Sequence, residues 1–451
     1  MKTDRPLAEA PGALPFIGHA IPLVRDPLRL LRTLPAHGDL VRIRIGLFPA
    51  IVVCDPHLVH RVLTDDLTFD KGGPLFDRVA ATVGRGLITC SHLQHRRQRR
   101  LTQPAFHRSR FPAYTRIMVE QIAGAIDGWN DGQTIDVLAE MQKITMRVVL
   151  ATMFSTSLST AAIARATRDL HDILSLTYWR MFLPALLRRL PTAANLRYER
   201  ANAGLRHTVA KAVTERRSED LIGSKGDDLL TIWLAERDDE TDGRGFSDAE
   251  LVDQIMTFFI AGVETTANVL SWALSFLSDD AEAERRLHAE VDGVFRGRPA
   301  HHDLPLAQLP FTGQIVTETL RICPPGWMFT RITRTATRLA GQSFPAGTTL
   351  IYSPYLLHHR ADLHPDPERF DPDRWTESGD APIREAFIPF GGGGRKCIGD
   401  DFGVTEACSA LAMIASRWRL RRMADGACEA EPRLGLRPKD LHMRVTARFD
   451  P

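Results

Sequence analysis

A glycine-rich loop around one cysteine constrains this chain more than any other feature. Residues 390–399 read F-G-G-G-G-R-K-C-I-G, and an apolar helical pattern follows at 401–418. Consecutive glycines reach backbone conformations closed to other residues and leave no side chain to block a flat ligand. Backbone N–H groups close to the Cys397 sulfur would stabilise its thiolate, the form that binds metals. The loop therefore predicts a cysteine that serves as a metal ligand.

A buried structural cysteine beside a flexible turn is the ordinary alternative, because free cysteine is among the most buried residue types. The pattern F-x-x-G-x-R-x-C-x-G argues against it, since average residue usage produces it by chance about 10⁻⁷ times per starting position, or below about 10⁻⁴ in the whole chain. At these residues the sequence resembles the cytochrome P450 superfamily. The resemblance implies that Cys397 is the axial thiolate ligand of haem b, where a thiolate favours O–O cleavage.

The composition is that of an ordinary globular protein and excludes several classes. Of 451 residues, 44% are hydrophobic and 25% charged, and the net charge is +2. A sizeable core is feasible, and nothing favours nucleic acid as a partner. The six cysteines show no C-x-x-C pair, which argues against a disulfide framework or zinc site and for a reducing compartment. Residues 1–10 begin no signal-type or membrane-spanning run, so we expect a soluble, cytoplasmic protein without an integral membrane segment.

Periodicity predicts a mainly helical chain with small β-sheets (α+β). The segments that carry this prediction are helical patterns at 113–129, 134–153, 161–174, 197–216 and 227–236, and strand patterns at 40–45 and 50–53. Two β-rich portions are expected, at about 39–54 and 331–353. Residues 1–451 are predicted to form a single domain without a fused reductase. The resemblance implies the cytochrome P450 fold, with a long central helix over the haem and a cysteine-ligand loop.

A long buried helix is predicted to begin at Ser247. Ser247 and Glu250 form a capping box, and residues 251–277 are apolar almost all round, as in a helix buried inside a large protein. About 30 residues at ~1.5 Å each give a rod ~45 Å long. This helix is therefore long enough to cross the whole domain.

One turn of that helix carries a candidate catalytic pair. Gly262 lowers helix propensity by about 1 kcal/mol, and Thr265 can donate to the carbonyl four residues back, so the helix is weakened there. Taken alone, the pattern is an ordinary kink with a solvated glutamate. The resemblance implies instead that Glu264 and Thr265 deliver protons to the oxygen that the haem activates.

Four cationic residues are candidates for binding the two haem propionates. His95 and Arg99 lie four residues apart in the basic run 95–100 and so share a helical face. Taken alone, such a run is a solvated basic helix. The resemblance implies that this pair binds propionates and that Arg331 and Arg395 add cationic contacts. Guanidinium groups suit this role because they bind carboxylates through two donors.

Glu318 and Arg321 form an E-x-x-R pair, which is expected about once by chance in a chain of this length. The pair precedes two prolines and, further on, Arg374 within the sequence F-D-P-D-R-W. The resemblance implies that these three residues form a structural network on the haem side. They are not predicted to be catalytic.

Three further segments carry predictions. Residues 71–91 are rich in glycine and predict a long loop, which in the resembled family covers the substrate. Residues 176–187 are apolar and aromatic and predict a lid over a hydrophobic pocket, with a membrane-touching surface as the alternative. Residues 238–242 spell D-D-x-x-D, with which terpene cyclases bind Mg²⁺, but their flanks predict an exposed acidic loop without that role.

The resemblance as a whole implies a haem-thiolate monooxygenase. It would insert oxygen from O₂ into an unactivated C–H bond of a small hydrophobic substrate, with electrons from a separate ferredoxin and its NAD(P)H-dependent reductase. Residues 11–39, 69–74, 95–106 and 326–330 are similar to actinobacterial sesquiterpene hydroxylases of the pentalenene oxygenase group. This similarity implies a terpenoid substrate of secondary metabolism.

Several alternatives stay open from the sequence alone. A polyketide, fatty acid or steroid would fit the same motifs. A haem-thiolate isomerase or dehydratase would need no proton relay, a haem sensor would give no product, and a bifunctional terpene cyclase would use residues 238–242. Val263, Phe329 and residues 76–79 are predicted neighbours of the substrate.

Overall fold

The computed structural model describes residues 7–155, 159–183, 185–220, 228–240, 243–295, 304–376, 385–424 and 426–448. The helices, in chain order, are α1 (Ala20–Arg25), α2 (Pro27–Thr33), α3 (Pro56–Thr64), α4 (Pro74–Val83), α5 (His92–Thr102), α6 (Phe111–Ile126), α7 (Val137–Phe154), α8 (Thr160–Phe182), α9 (Ala185–Arg189), α10 (Ala193–Asp220), α11 (Leu229–Ala235), α12 (Asp248–Asp279), α13 (Ala281–Phe295), α14 (Pro310–Ile322), α15 (Pro354–His358) and α16 (Asp400–Arg417). The strands are β1 (Ala8–Glu9), β2 (Leu40–Ile45), β3 (Phe48–Val53), β4 (Phe69–Asp70), β5 (Thr134–Asp136), β6 (Phe329–Thr333), β7 (Thr337–Leu339), β8 (Gln342–Phe344), β9 (Thr349–Tyr352), β10 (Trp418–Arg422), β11 (Ala430–Pro432), β12 (Leu436–Pro438) and β13 (His442–Ala447). The predicted class, mainly helical with small sheets, is confirmed.

The chain divides into two compact units, and each is described by itself. The first unit consists of residues 1–77, 317–397 and 430–437, and the second of residues 78–316, 398–429 and 438–451. Two of the divisions fall inside helices, in α4 and in α14. The expectation of a single domain stays a prediction.

A six-stranded mixed sheet organises the first unit, in the order β1-β2-β3-β9-β6-β4. Strands β2 and β3 form the predicted antiparallel hairpin, and β9 runs parallel to β3 and antiparallel to β6. The short strand β4 pairs with the other edge of β6, where Asp70 lies opposite Ile332. This register places Asp70 beside the strand that carries Arg331.

Helix α12 is the longest helix of the second unit and packs against α7, α10 and α16. The predicted capping box at its start is confirmed. The Ser247 hydroxyl accepts from the Glu250 N–H at 3.3 Å, and the Glu250 carboxylate accepts from the Ser247 N–H at 2.9 Å. Most of its side chains from Leu251 to Leu277 are buried, because its neighbours cover it on several sides. Among the described residues, no helix is long and apolar enough to cross a membrane.

Two segments differ from their predicted secondary structure. The predicted loop 71–91 contains helix α4, which begins at a proline and repeats apolar residues every four positions, so the loop prediction is wrong there. The predicted helix 134–153 begins instead as strand β5, which pairs with β13. The segment 176–187 is largely helical, in the end of α8 and in α9, while residue 184 lies outside the described part, and its role as a lid stays a prediction.

Candidate active site

The cysteine loop is closed by its own backbone. The Cys397 N–H donates to the Phe390 carbonyl at 3.0 Å, and the Lys396 N–H donates to the Gly393 carbonyl at 3.1 Å. Gly391 and Gly393 have φ angles of 69° and 65°, in the left-handed region that favours glycine. These bonds hold Cys397 at the end of a tight turn, directly before the segment that leads into α16.

The glycines of this loop allow a close approach to helix α3. A Cβ atom at Gly393 would lie 2.0 Å from the Leu63 carbonyl oxygen, and one at Gly392 would lie 3.4 Å from the Leu63 side chain. The sequence suggested that the glycines clear space for a flat ligand. The structure adds a second reason for them, because the end of α3 occupies the space that larger side chains at these two positions would need.

Cys397 differs from the other five cysteines in its exposure. Its side chain is exposed, Cys428 is half-buried, and the remaining four are buried. Burial raises the pKa of Cys54 and of Cys408 to about 12, so these thiols stay protonated. Only a thiolate binds a metal well. Cys397 is therefore the cysteine best placed to act as a ligand.

The two predicted cationic residues of the first unit are both buried and lie on neighbouring segments. Arg331, on β6, lies over the Tyr352 ring at 5.2 Å and donates to the Thr330 carbonyl at 3.0 Å. Arg395 donates to the Asp70 carboxylate at 2.7 Å. Because Asp70 stands on β4, which pairs with β6, this ion pair connects the cysteine loop to the strand beside Arg331. The Asp70 partner of Arg395 was not predicted.

The basic run on α5 divides into two faces. Arg97 binds Glu250 at 2.7 Å, and Arg100 binds Asp238 through two bonds of 2.8 and 3.1 Å, so both are neutralised by acids of the second unit. His95 and Arg99 lie on another face, as their spacing predicted. His95 is buried, and Arg99 is half-buried with a 3.4 Å bond to Gln103. The run is therefore more than a solvated basic helix.

Side-chain hydroxyls support the weakened turn of α12. The Thr265 hydroxyl donates to the Ala261 carbonyl at 2.6 Å, and the Thr145 hydroxyl of α7 donates to the Val263 carbonyl at 3.1 Å. A Cβ atom at Gly262 would lie 3.1 Å from Val149, so the glycine also lets α7 approach closely. The helix continues through this turn without interruption.

The candidate catalytic pair itself is split between two environments. The Glu264 side chain is buried, whereas Thr265 is exposed although it lies in the middle of a buried helix. An exposed hydroxyl in an otherwise buried helix is accessible to a small molecule. This arrangement suits a threonine that contacts a ligand and a neighbouring acid that is buried away from the ligand.

The chain is similar to known proteins over nearly its whole length. The family model described as Cytochrome P450 matches residues 9–443. The chain belongs to the cytochrome P450 family. This P450 is 43% identical over 441 residues to the pentalenene oxygenase of Streptomyces avermitilis, with 97% of each chain covered. It is also 43% identical over 415 residues to the cyclooctat-9-en-7-ol 5-monooxygenase of Streptomyces melanosporofaciens, with 91% of this chain and 89% of the relative covered.

A solved structure gives the same result for the fold. The crystal structure of the cytochrome P450DA heme domain matches this P450 with a TM-score of 0.87 and 26% sequence identity, covering 99% of each chain. The predicted cytochrome P450 fold is confirmed. The family and its monooxygenase members show that this chain is a haem-thiolate monooxygenase, so the predicted enzyme class and cofactor are confirmed as well.

The residues of this P450 fit a haem. The donor set comprises one exposed thiol on a loop of fixed backbone and cationic side chains that suit carboxylates. The structure places Cys397, Arg331 and Arg395 in the first unit, and His95, Arg99, Glu264 and Thr265 in the second. Their chemistry matches a group that needs one soft axial ligand and counter-charges for two propionates.

The E-x-x-R network is confirmed as a structural element of the first unit. Glu318 and Arg321 are fully buried and joined by two bonds of 2.8 and 2.9 Å. Glu318 also accepts from Trp375 at 2.8 Å and lies 3.5 Å from Arg374. Arg321 donates in addition to backbone carbonyls, including that of His358 at 3.0 Å. The sequence did not predict Trp375 as a member.

Two polar residues of α12 hold the segment that follows α4. Asp253 accepts from the Arg85 N–H and from Arg206 of α10, both at 2.8 Å. Gln254 accepts from the Leu87 N–H at 3.0 Å and donates to Gln98 of α5 at 2.8 Å. These bonds explain why a largely apolar helix carries an acid and an amide in its second turn. A single sequence offers no signal for such partners, which lie more than 150 positions away or on another helix.

The acidic segment 238–242 does not resemble a metal site. Asp238 is buried and bound to Arg100, so the prediction that it lies in an exposed loop is wrong. Asp242 lies outside the described residues. In the described part of the chain, no three His, Cys, Asp or Glu side chains are arranged to hold a metal ion.

The predicted substrate neighbours belong to both units, and their role stays a prediction. Phe329 stacks on Tyr352 with ring centroids 5.4 Å apart, in the first unit. Val263 is fully buried in α12, and residues 76–79 belong to helix α4.

Proposed function

We propose that this P450 oxidises a terpenoid hydrocarbon at an unactivated C–H bond. The observation that carries the proposal is 43% identity over 97% of both chains to a pentalenene oxygenase, supported by a second relative of equal identity named for a cyclooctatenol. Both names describe oxygenases of cyclic, mostly hydrocarbon molecules. Relatives that share two fifths of their residues over their full length commonly keep a substrate class, even where they differ in the atom oxidised.

We propose that Cys397 would ligate the haem iron and that His95, Arg99 and Arg331 would donate to the haem propionates. Arg395 already donates from one nitrogen to Asp70 at 2.7 Å. It would therefore share its positive charge between Asp70 and a propionate. The haem, when bound, supplies the activation of O₂. The protein then has to hold the ligand as a thiolate, neutralise the propionates and orient the substrate.

Glu264 and Thr265 are proposed to handle protons in this reaction. Each turnover consumes one O₂, two electrons and two protons and yields the alcohol and one water, so protons must reach a site that excludes bulk water. The Thr265 hydroxyl is exposed while its hydrogen is directed to the Ala261 carbonyl at 2.6 Å. Its oxygen can therefore accept a hydrogen bond from a ligand or a water. Glu264, one residue earlier, would exchange protons with that water.

The electrons are proposed to come from a ferredoxin and its NAD(P)H-dependent reductase. A basic surface near the cysteine loop would attract an acidic electron carrier. Lys396 is exposed and suits this role. Arg395 does not, because its side chain is buried against Asp70.

Product analysis tests the substrate class. The purified holoenzyme would be incubated with ferredoxin, reductase and NADPH and a panel of cyclic sesquiterpene and diterpene hydrocarbons. A matched panel of a fatty acid, a steroid and a macrolide precursor would be the control. We expect a low-to-high-spin shift and a hydroxylated product with at least one terpene. Oxidation of control compounds with no terpene turned over would contradict the terpenoid assignment and leave the monooxygenase class intact.

A further inference from the structure

Two buried glutamines connect α5 to α12 inside the second unit. Gln98 of α5 is 3% exposed, and Gln254 of α12 is fully buried. The Gln254 Oε1 atom accepts from the Leu87 N–H at 3.0 Å, and its Nε2 atom donates to Gln98 Oε1 at 2.8 Å. The Gln98 Nε2 atom in turn donates to the Arg85 carbonyl at 3.0 Å. These two side chains, the glutamine bridge, therefore join both ends of the tripeptide 85–87.

The direction of the hydrogen bonds in the glutamine bridge is fixed at both ends. The Leu87 N–H can only donate and the Arg85 carbonyl can only accept, so each amide has one allowed orientation. Glutamine provides a donor and an acceptor on one side chain, whereas an ionised glutamate only accepts. A glutamate at position 254 would therefore place two acceptors opposite each other.

The tripeptide that the bridge joins lies directly on α12. A Cβ atom at Gly86 would lie 2.7 Å from the Asp253 carbonyl oxygen, and one at Gly84 would lie 1.9 Å from the Asp253 carboxylate. The Arg85 N–H donates to the same carboxylate at 2.8 Å. The tripeptide therefore has a fixed place on α12, and Gln98 connects α5 to that place.

Helix α5 depends on such contacts for its position. It has 11 residues, four of them arginines, and its N-cap residue Ser91 makes no side-chain capping bond. Isolated helices shorter than about 12–15 residues are marginal in water, so packing decides where α5 lies. His95, Gln98 and Arg99 stand at positions i, i+3 and i+4 and share one face of the helix. The bridge therefore holds the face of α5 that carries two of the proposed propionate donors.

Stability alone does not require two buried amides at this contact. A typical hydrogen bond adds about 0.5–1.5 kcal/mol, and two apolar side chains of the same shape can be nearly as stable. The amides add geometry instead, because a hydrogen bond weakens steeply away from its preferred distance and angle. A precise placement of α5 is what the glutamine bridge provides and what an apolar contact would not.

We propose that Gln98 and Gln254 are positioning residues of the haem site. The glutamine bridge fixes α5 against α12 and so holds His95 and Arg99 in the orientation in which they donate to the propionates. The inference rests on the proposed role of these two donors. In this role both glutamines act through α5 rather than by contact with the haem.

Haem retention tests the inference without any turnover. Gln254→Glu keeps the shape of the side chain and removes the donor to Gln98. Transfer of haem from the purified holoenzyme to excess apomyoglobin should become about tenfold faster, as when a partner that orients a ligand is lost. The propionate bending band in the resonance Raman spectrum should shift. The reduced, CO-bound protein should keep its red-shifted Soret band, because Cys397 is unchanged.

Tyr114→Phe is the matched structural control. The Tyr114 hydroxyl is buried and donates to the Ala105 carbonyl at 2.8 Å, in the segment that follows α5. Its loss should lower the free energy of unfolding in urea and leave the haem transfer rate and the propionate band as in wild type. Gln98→Met removes the bridge without adding a charge, and it decides the question if Gln254→Glu does not fold.

A double-mutant cycle identifies the route of the effect. If Gln254 acts through the proposed donors, the effect of Gln254→Glu on haem transfer should be smaller in at least one of the backgrounds His95→Gln and Arg99→Gln than in wild type. Equal effects in all three backgrounds would overturn the inference, because the bridge would then act by another route.

The remaining outcomes separate this inference from the proposed function. Unchanged haem transfer and an unchanged propionate band in both Gln254→Glu and Gln98→Met would overturn the inference and leave the proposed donors intact. An equally fast transfer in Tyr114→Phe would overturn it as well, since any loss of stability near α5 would then suffice. If neither His95→Gln nor Arg99→Gln changes haem transfer, the proposed donors are wrong and the inference falls with them.

Discussion

Arg395, two residues before the candidate axial cysteine, donates a hydrogen bond of 2.7 Å to Asp70, which is 325 residues earlier in the chain. The Arg395 side chain is 2% exposed and the Asp70 side chain 10% exposed. The pair connects the cysteine loop to strand β4, which is an edge strand of the six-stranded sheet. The geometry of the loop thus depends on a residue that no local pattern indicates.

Replacement of Asp70 by asparagine should destabilise the first unit. The substitution removes the carboxylate that pairs with a buried guanidinium, and breaking comparable buried pairs costs about 3–5 kcal/mol. Denaturant unfolding of the variant would measure this loss. The control is Asp362→Asn, which breaks the exposed Arg360 pair and should cost about 0–1 kcal/mol. Equal losses in the two variants would show that the Asp70 pair is not a structural tie.

Gly393→Ala should disrupt the cysteine loop by collision with α3. The new Cβ would lie 2.0 Å from the Leu63 carbonyl oxygen, and this contact is with backbone that cannot move alone. Gly341→Ala is the control that measures backbone strain alone. Gly341 has a φ of 82°, and a Cβ atom added there would meet no atom within 4 Å. We expect about 1 kcal/mol for Gly341→Ala and a clearly larger loss of stability for Gly393→Ala, with reduced haem content. Similar losses would argue that α3 does not restrict the loop.

Cys397→Ser should abolish thiolate ligation. The reduced, CO-bound protein is expected to lose the red-shifted Soret band that a thiolate ligand produces. Cys428→Ser is the control, since Cys428 is half-buried and its pKa is raised by burial. That variant should keep the band. Retention of the band in Cys397→Ser would refute the proposed ligand, and its absence from wild type would refute haem-thiolate ligation itself.

Thr265→Ala should lower product formation by about 10²-fold, the usual scale for loss of a positioned proton-transfer group, while NADPH consumption continues. Thr257→Ala is a matched control on the same helix. Its hydroxyl makes the same type of bond, to the Asp253 carbonyl at 2.8 Å, so its loss affects the helix in the same way. Gas chromatography of products and peroxide assay measure both variants. If Glu264→Ala with Thr265→Ala leaves turnover intact, an isomerase or dehydratase reaction is favoured.

Acid should destabilise the protein through buried histidines of the first unit. Burial lowers the pKa of His359 to about 3 and that of His358 well below its usual value. His358 also accepts the Ile388 N–H at 3.0 Å, which only a neutral ring nitrogen can do. Because the folded pKa values lie below those of the unfolded chain, the unfolded state takes up protons first as the pH falls through about 6.5, and stability is lost from there downward.

The size of this effect can be measured by urea unfolding. Between pH 7.5 and 5.5 each of these two histidines should cost about 1.4 kcal/mol, the free energy of one pH unit. In His359→Asn, the loss of stability between these two pH values should be smaller by about 1.4 kcal/mol. His442→Asn, at an exposed position, should show the same loss as wild type. An unaltered pH dependence in His359→Asn would show that this histidine does not titrate as its burial indicates.

Some of this molecule could be predicted from residues close together in the sequence. The turn that presents Cys397 needs only its glycines and one hydrogen bond between residues seven positions apart. The start of α12 needs only Ser247 and Glu250, and the shared face of His95 and Arg99 follows from helical spacing. These features depend on local backbone geometry, which a short stretch of sequence specifies.

The tertiary structure decided the features that depend on partners far away in the chain. It supplied Asp70 for Arg395 and Leu63 for Gly393. It also buried Asp238 against Arg100, where the sequence indicated an exposed loop. The physical reason is that burial and charge pairing are set by which segments pack together. The sequence by itself determined that Cys397 is presented on a rigid turn, and only packing determined which acids, cations and hydroxyls surround the chemistry.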